Sequence, residues 1–309
     1  MKIIFMGTPD FAVPCLQSLI NTDNEIIAVF TQPDKKVGRK QIVTPPPVKV
    51  LAVNNNITVY QPNTMKSDEI INLIGSLSPD LIVVVAYGKI LPVSILEIPE
   101  FGCINVHASL LPKYRGAAPI QWAVLNGDEE TGVAVQQMNE GIDTGDLLLV
   151  KKTKIDINET SAHLFERLSV MGANALSETI KMIENDTVEP KPQPDGDFGY
   201  AKMISREMSS IDWSKSAFEI HNQVRGLQTW PCADTFINEK KVKIHKTRLS
   251  ELKGSESGKI MNNKGVLTVS CGDGKCLDIL EIQPDGKKRM DIKSFLSGNT
   301  VEIGAVIGK

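Results

Sequence analysis

The sequence predicts an α/β protein of two domains: a Rossmann-like domain on a parallel sheet, followed by a small β-barrel (OB-like) domain. Three observations carry that prediction. The chain opens as strand, helix and strand, with Lys2–Met6 apolar, Phe11–Ile20 helical in pattern and Glu25–Thr31 apolar again. A strand, a crossover and a second strand form the unit of a parallel sheet. Asp80–Ala86 (DLIVVVA) is a continuous apolar run, the pattern of a strand covered on both faces. Beyond Gly226 the pattern changes to short strands with Gly-containing turns, the habit of small barrels. Val188–Asp197 (VEPKPQPDGD) is rich in Pro, Gly and charge and reads as a linker. The expected organisation is a catalytic domain over 1–187, a linker over 188–206 and a second domain over 207–309.

Taken in order, Lys2–Met6 is a buried strand and Gly7-Thr8-Pro9-Asp10 a turn. That turn lacks GxGxxG, which excludes dinucleotide binding there. Pro14 falls in the first turn of the helix, where it is tolerated. Gln32–Val48 reads as an irregular loop that carries Lys35, Lys36, Arg39 and Lys40, then Pro45-Pro46-Pro47. Val48–Asn54 reads as a helix and Val59–Gln61 as a short strand. Ser67–Leu77 is amphipathic, with Ser67 as N-cap and Asp68 and Glu69 in the first turn, where the helix dipole favours them. Tyr87-Gly88-Lys89-Ile90 follows the Asp80–Ala86 strand at its carboxyl end, where open α/β sheets bind ligands. Gly116–Leu125 reads as a helix from near Pro119, Thr131–Met138 and Asp146–Lys152 as strands, and Thr160–Asn185 as a long helix striped with Leu164, Leu168, Met171 and Ala175. In the C-terminal part, Ala217–Arg225 is a helix capped by Ser214 or Ser216. Strands follow at Cys232–Ile237, Lys240–Leu249, Gly258–Met261, Val266–Ser270 and Cys276–Gln283, with a strand–helix step over Lys287–Leu296.

Composition narrows the class. The 309 residues allow two domains, and 41% hydrophobic with 23% charged residues is ordinary for a globular protein. The longest apolar run, Leu81–Tyr87, is far too short to span a bilayer. Met1-Lys2 leads straight into a strand pattern and not into a signal peptide, so the expectation is a cytoplasmic protein without a membrane partner. Five scattered cysteines make no disulfide framework, and the four histidines show no metal-ligand spacing. No metal is expected. The net charge of −3 hides a split: residues 204–309 hold 17 Lys and Arg against 13 Asp and Glu (+4), and residues 1–203 hold 17 against 24 (−7). A basic C-terminal part on an acidic protein suggests where a polyanion sits.

The chemistry concentrates in Phe101–Val150. Asn105 and His107 alternate with Val106 in a strand, so they point to one face. An imidazole exchanges protons near neutral pH, and a carboxamide N–H steadies an oxyanion. Asp143, in the acidic turn Gly141–Asp146, can fix the imidazole tautomer. Cys103 shares the parity of Asn105 and His107 but sits deeper in an apolar strand. A base, an amide donor and a carboxylate with no protein nucleophile point to direct transfer, in which the substrate is the nucleophile.

Asn105-x-His107, Ser109-Leu110-Leu111-Pro112, Tyr114-Arg-Gly-Ala-Ala-Pro119 and Asp143-Thr-Gly-Asp146, with the opening MKIIFMGTPDFAVPCL, resemble the folate-dependent formyltransferases. Over essentially the whole chain the likeness is to the branch that acts on methionyl-tRNA. The resemblance implies 10-formyltetrahydrofolate as co-substrate and initiator methionyl-tRNA as partner, a transferase of translation initiation, with Asn105, His107 and Asp143 catalytic. It implies that Ser109, Leu110, Leu111 and Pro112 shape the folate pocket; Tyr87, Gly88 and Ile90 complete that pocket along the same crevice. The basic loop with Lys35, Lys36, Arg39 and Lys40 is implied to enter the acceptor arm, with Arg39 foremost. Lys202 at the end of the linker, and Lys241 and Lys243 on a C-terminal strand shared with His245, are further candidate phosphate contacts. A monomer is expected. The family usually has Gly where this chain has Cys232, which leaves the turn after Trp230-Pro231 open. Three rival readings stand beside the methionyl-tRNA one. Hydrolysis of the formyl-folate by water, with the same three residues, gives the basic loop and the C-terminal domain no task. A related transferase acting on a small sugar or ribonucleotide amine also leaves the C-terminal domain unexplained. An RNA-binding protein without catalysis leaves the polar cluster unexplained.

Overall fold

The computed structural model describes residues 1–38 and 40–308. Along the chain run β1 (Lys2–Gly7), a 3-10 turn (Asp10–Ala12), α1 (Val13–Ile20), β2 (Glu25–Phe30), β3 (Lys35–Val37), β4 (Ile42–Thr44), α2 (Pro47–Asn54), β5 (Val59–Tyr60) and α3 (Asp68–Leu77). Then come β6 (Leu81–Val85), α4 (Val93–Leu96), β7 (Cys103–His107), β8 (Arg115–Gly116), α5 (Pro119–Leu125), β9 (Glu130–Gln137), β10 (Leu147–Lys154) and α6 (Ser161–Glu184). The C-terminal part holds β11 (Tyr200–Ala201), a second 3-10 turn (Arg206–Ser209), α7 (Ala217–Gly226), β12 (Ala233–Ile237), β13 (Lys240–Lys253), β14 (Ile260–Asn262), β15 (Leu267–Ser270), β16 (Lys275–Pro284), β17 (Met290–Asp291) and α8 (Ile292–Gly298). These elements gather into two compact units. One takes Met1–Gly116, Thr131–Thr153 and Phe165–Tyr200; the other takes Ala117–Glu130, Lys154–Leu164 and Ala201–Lys309. No helix among the described residues is long and apolar enough to cross a membrane.

The first unit is built on a seven-stranded sheet of order β10-β9-β7-β6-β1-β2-β5. From β7 to β5 the strands pair parallel, and β9 runs antiparallel to β7. β6 is buried at every position, as its unbroken apolar run requires. Ile4, Met6, Phe30, Ile82 and Val84 meet Ile74 of α3 and Ile95 of α4 on one face. On the other face α6 comes so close that a Cβ on Gly172 would lie 3.1 Å from Val106. Ser169 Oγ of α6 donates to the Phe11 carbonyl at 3.0 Å. Helices on both faces explain why the central strands read as apolar runs and not as alternations.

Two expectations change in detail. Gln32–Val48 is not irregular throughout: β3 and β4 pair antiparallel, Lys35 opposite Thr44 and Val37 opposite Ile42. Lys-Lys-Val and Ile-Val-Thr carry four β-branched residues, and Gly38 and Gln41 take left-handed conformations between them (φ 70 and 49), which turns the chain back. The segment expected as helix from Phe11 begins as a 3-10 turn, and α1 starts at Val13 with Pro14 in its first turn.

The second unit carries an antiparallel sheet of order β12-β13-β16-β15-β14, with β17 on β16. The chain after α8 closes it. Ile260 N–H of β14 donates to the Ala305 carbonyl at 2.8 Å, and Gly308 N–H donates to Phe236 of β12 at 3.0 Å. One segment thus covers both edge strands, which would otherwise present unpaired backbone. α7 starts in a capping box in which Ser216 and Glu219 satisfy each other's backbone N–H. Cys232 adopts φ 66, a left-handed conformation that glycine takes at lower cost. The alternation expected of Lys241, Lys243 and His245 breaks at a bulge between Ile244 and Lys246. His245 is accordingly buried, while Lys241 and Lys243 are exposed.

Candidate active site

β6 and β7 lie side by side with Val84 opposite Asn105, so both strands end at the same edge of the sheet. Antiparallel β9 sets Gln136 opposite Asn105 and Ala134 opposite His107. Cross-strand partners share a face, so Gln136 joins Asn105 and His107. The turn after β7 is closed by Ser109 Oγ, which donates to the Lys113 carbonyl at 2.6 Å. That turn returns the Tyr114 carbonyl to His107, whose Nε2 sits 2.9 Å from it.

This contact fixes the imidazole. A carbonyl only accepts, so Nε2 carries a proton and Nδ1 is the nitrogen left for chemistry. Nδ1 faces Asp143 Oδ1 at 3.6 Å, beyond hydrogen-bond length. Asn105 Nδ2 lies 3.4 Å from the same oxygen, and its carboxamide has a second N–H. Gln136 Nε2 donates to Oδ1 at 3.0 Å, and the Gly116 N–H donates to Oδ2 at 2.9 Å. Hydrogen bonds from N–H groups hold a carboxylate in one orientation. The three catalytic candidates therefore converge.

The backbone here is unusual. Ala86, Tyr114 and Asp143 all take positive φ (46, 62 and 54), conformations that cost non-glycine residues roughly 1–3 kcal/mol each and collect at functional sites. Gly145 is obligatory in the Asp143 turn, since a Cβ there would fall 1.6 Å from the Gln137 carbonyl. Burial pushes the Cys103 thiol up to about 12, so it offers no thiolate nucleophile.

The other candidates divide. Ile90 is exposed beyond the carboxyl end of β6, Leu111 is buried and Pro112 half-buried. Leu110 rests against Gly132 of β9. Ser109 is fully buried and committed to its turn. Tyr87 points into the core, with its hydroxyl 3.1 Å from Met65 Sδ, because left-handed Ala86 ends the strand alternation. Only the Tyr87 backbone reaches the edge, and its carbonyl accepts from Thr8 Oγ1 at 3.1 Å and Gln32 Nε2 at 3.1 Å. Gly88 lies directly under the Gln32 amide. Gln32 Oε1 in turn receives Lys35 Nζ at 2.6 Å, which ties the root of the β3–β4 hairpin to the loop after β6. The hairpin root is braced further by Lys49 on Asp34 at 2.9 Å; the Lys49 hydrogen bond, with one from Gln61, lowers the Asp34 carboxyl from its ordinary value.

Lys35, Lys36 and Lys40 are all exposed on the hairpin. Arg39 lies outside the described residues. Lys202 is exposed, and its carbonyl accepts from Trp122 Nε1 at 2.8 Å. Lys241 pairs with Asp234 at 3.0 Å. It borders a groove of about 540 Å³ whose lining includes Lys240, Lys287, Asn299 and Phe295. Among the described residues no group of His, Cys, Asp and Glu could hold a metal ion.

Sequence reasoning missed Gln136, Gln193, the Tyr114 carbonyl and the Gly116 N–H. Gln136 could have been found, since alternation along Thr131–Met138 separates it from Val133 and Val135. Gln193 could not: it belongs to the proline-rich segment after α6, yet its Nε2 reaches the Asp143 carbonyl at 2.9 Å and the Gly145 carbonyl at 2.7 Å.

Residues 1–180 match the family model described as formyl transferase, and residues 203–300 match that of the formyl transferase C-terminal domain. The methionyl-tRNA formyltransferase of Alkaliphilus oremlandii is 48% identical over 311 aligned positions, covering 100% of each chain. That of Clostridioides difficile is 49% identical, again over 100% of each. Among solved structures, the N-formyltransferase of Helicobacter canadensis in complex with folinic acid and dTDP-3-aminofucose superposes with a TM-score of 0.68. It is 24% identical, covering 92% of this chain and 99% of that one, and shares the fold. Family models over both parts of the chain, and relatives of this identity over its full length, place the chain in the methionyl-tRNA formyltransferase family of formyl transferases.

Proposed function

We propose that the protein transfers the formyl group of 10-formyltetrahydrofolate to the α-amino group of methionyl-tRNA charged on the initiator tRNA. The observation that carries this reading is the convergence of Asn105, His107 and Asp143, with Nδ1 as the unclaimed imidazole nitrogen. The amine must lose a proton as it attacks the formyl carbon, because free α-amino groups titrate at about 7.7–8. His107 Nδ1 takes that proton, directly or through water. Asp143, 3.6 Å away, then faces an imidazolium and stabilises it, as a carboxylate does in a catalytic triad. The second N–H of Asn105 meets the oxyanion of the tetrahedral intermediate. Collapse of that intermediate breaks the bond to the folate nitrogen, and the proton held by His107 is available to the leaving amine.

The crevice suits the folate. Ile90 leaves its apolar side chain exposed (68%) at the carboxyl end of β6, where a ring would cover it. Leu111 and Pro112 shape the opposite turn by packing and not by polar contact. The polyanionic substrate is met by Lys35, Lys36 and Lys40 on the hairpin, with Arg39 as a further candidate from the sequence, and by Lys202, Lys241 and Lys243 in the C-terminal part. A charged tRNA as substrate puts the protein at work in the cytoplasm.

The test offers purified protein formyl-folate with methionyl-tRNA, with free methionine, or with water alone. Formyl-methionyl-tRNA is the expected product, with little turnover on the other two. Rapid formate release with no formyl-amide would replace this reading by hydrolysis.

A further inference from the structure

We infer that Gln193 is a positioning residue of the formyl-transfer site, and that through it the segment after α6 holds the Asp143 turn in its working conformation. The inference rests on the proposed reaction, but its geometry stands apart from it. From Glu189 to Tyr200 every residue is exposed except Gln193, which is half-buried. An otherwise solvated stretch thus sends one side chain inward. Its placement is set by Lys191 and Leu147, whose backbone N–H and carbonyl groups exchange hydrogen bonds of 2.8 and 2.9 Å two residues before it.

The carboxamide has one possible orientation. Arg115 Nε and Nη2 lie 3.1 and 2.8 Å from Oε1, and a guanidinium only donates. Nε2 must therefore face the other way, where all its neighbours are acceptors: the Gly145 carbonyl at 2.7 Å, the Asp143 carbonyl at 2.9 Å and Gln136 Oε1 at 3.3 Å. Gln136, oriented by this contact, presents its own Nε2 to Asp143 Oδ1 at 3.0 Å. Asp143 is thus gripped at its backbone by Gln193 and at its carboxylate through Gln136. Its left-handed conformation (φ 54) is one that aspartate leaves readily unless held. Among the described residues the hydrogen bonds of Gln193 go to Arg115, Gln136 and the Asp143 turn, so its effect on the reaction runs through Asp143. That makes the connecting segment part of the active-site scaffold and not a plain spacer.

The test compares wild type with Gln193→Ala, Asp143→Asn and the double variant in single-turnover and steady-state formyl transfer. Misplacing a catalytic group by about 1 Å costs on the order of 10²-fold. Gln193→Ala should lower kcat about 10- to 100-fold, with KM for formyl-folate and for methionyl-tRNA changed less than about 3-fold. The double variant should be no slower than Asp143→Asn alone, because groups acting through one another are not additive. Independently of activity, exchange of the Gly116 amide, which donates to Asp143, should quicken in Gln193→Ala. An unchanged kcat, a loss that multiplies with that of Asp143→Asn, or a raised KM for methionyl-tRNA at unchanged kcat would each overturn the inference. So would unaltered Gly116 exchange, even if wild type proved to use another formyl acceptor, an outcome that would remove the proposed reaction alone.

Discussion

Two buried histidines in this protein begin alike and end differently. His107 in the first unit and His221 in the second each place Nε2 2.9 Å from a backbone carbonyl, that of Tyr114 and that of Ile157. Both are therefore protonated on Nε2. The second nitrogen separates them. His221 Nδ1 meets the Thr247 hydroxyl at 2.8 Å and is satisfied. Among the described residues His107 Nδ1 meets no neutral hydrogen-bond donor; it faces the Asp143 carboxylate at 3.6 Å. Nearby, Arg225 completes the structural pattern around His221, donating to Asn222 Oδ1 at 2.9 Å and to the Glu159 carbonyl at 3.1 Å. A fully paired network rigidifies, whereas a network with one nitrogen held open beside a charge is equipped for proton transfer.

The contrast is broken most forcefully by exchanging the two roles. His107→Gln should lower kcat about 10²–10⁴-fold while leaving the melting temperature near wild type. His221→Ala should leave kcat of the folded protein unchanged. It should cost about 1–3 kcal/mol of stability in denaturant unfolding, since it orphans the Ile157 carbonyl and the Thr247 hydroxyl. If both variants lost activity in proportion to stability, the distinction between the two sites would fail. Next in size, Asn105→Ala should cost about 10²–10³ in kcat with little change in KM for formyl-folate. A variant that only weakened folate binding would assign Asn105 to the pocket and not to the oxyanion.

The smallest effect concerns pH. Burial pushes His221 below its ordinary value, and the neighbouring Arg225 adds to that, against the opposing Ile157 hydrogen bond. The unfolded chain therefore binds a proton first, near pH 6.5. The contribution of neutral His221 is full above that pH and is lost as pH falls below it toward the lower folded value. Between pH 7.5 and 5, wild type should lose stability more steeply than His221→Gln, with carboxylate effects common to both. Parallel slopes would show that His221 carries no proton linkage.

Much of this was legible in the sequence, for physical reasons. β1 and β6 announce themselves because strands covered on both faces must be apolar throughout. Asn105 and His107 share a face by strand alternation alone, and Asp143 stands out as a carboxylate among turn residues. Other features depend on which distant segments meet. The β3–β4 hairpin is short and dominated by charge, so its pairing hides behind its composition. Tyr87 follows an apolar strand and reads as a pocket residue, yet one left-handed residue, Ala86, turns it into the core. Gln193 sits 50 positions from Asp143, in a stretch whose prolines and charges read as solvated linker. No local pattern says that one of its side chains is spoken for.

The most direct measurement is ¹⁵N NMR of the His107 ring across a pH titration. The account predicts that Nε2 stays protonated throughout while Nδ1 is the nitrogen that gains and loses the proton, and that Asp143→Asn alters the behaviour of Nδ1 alone. A ring that keeps its proton on Nδ1 and releases it from Nε2 would contradict the assignment of the catalytic base.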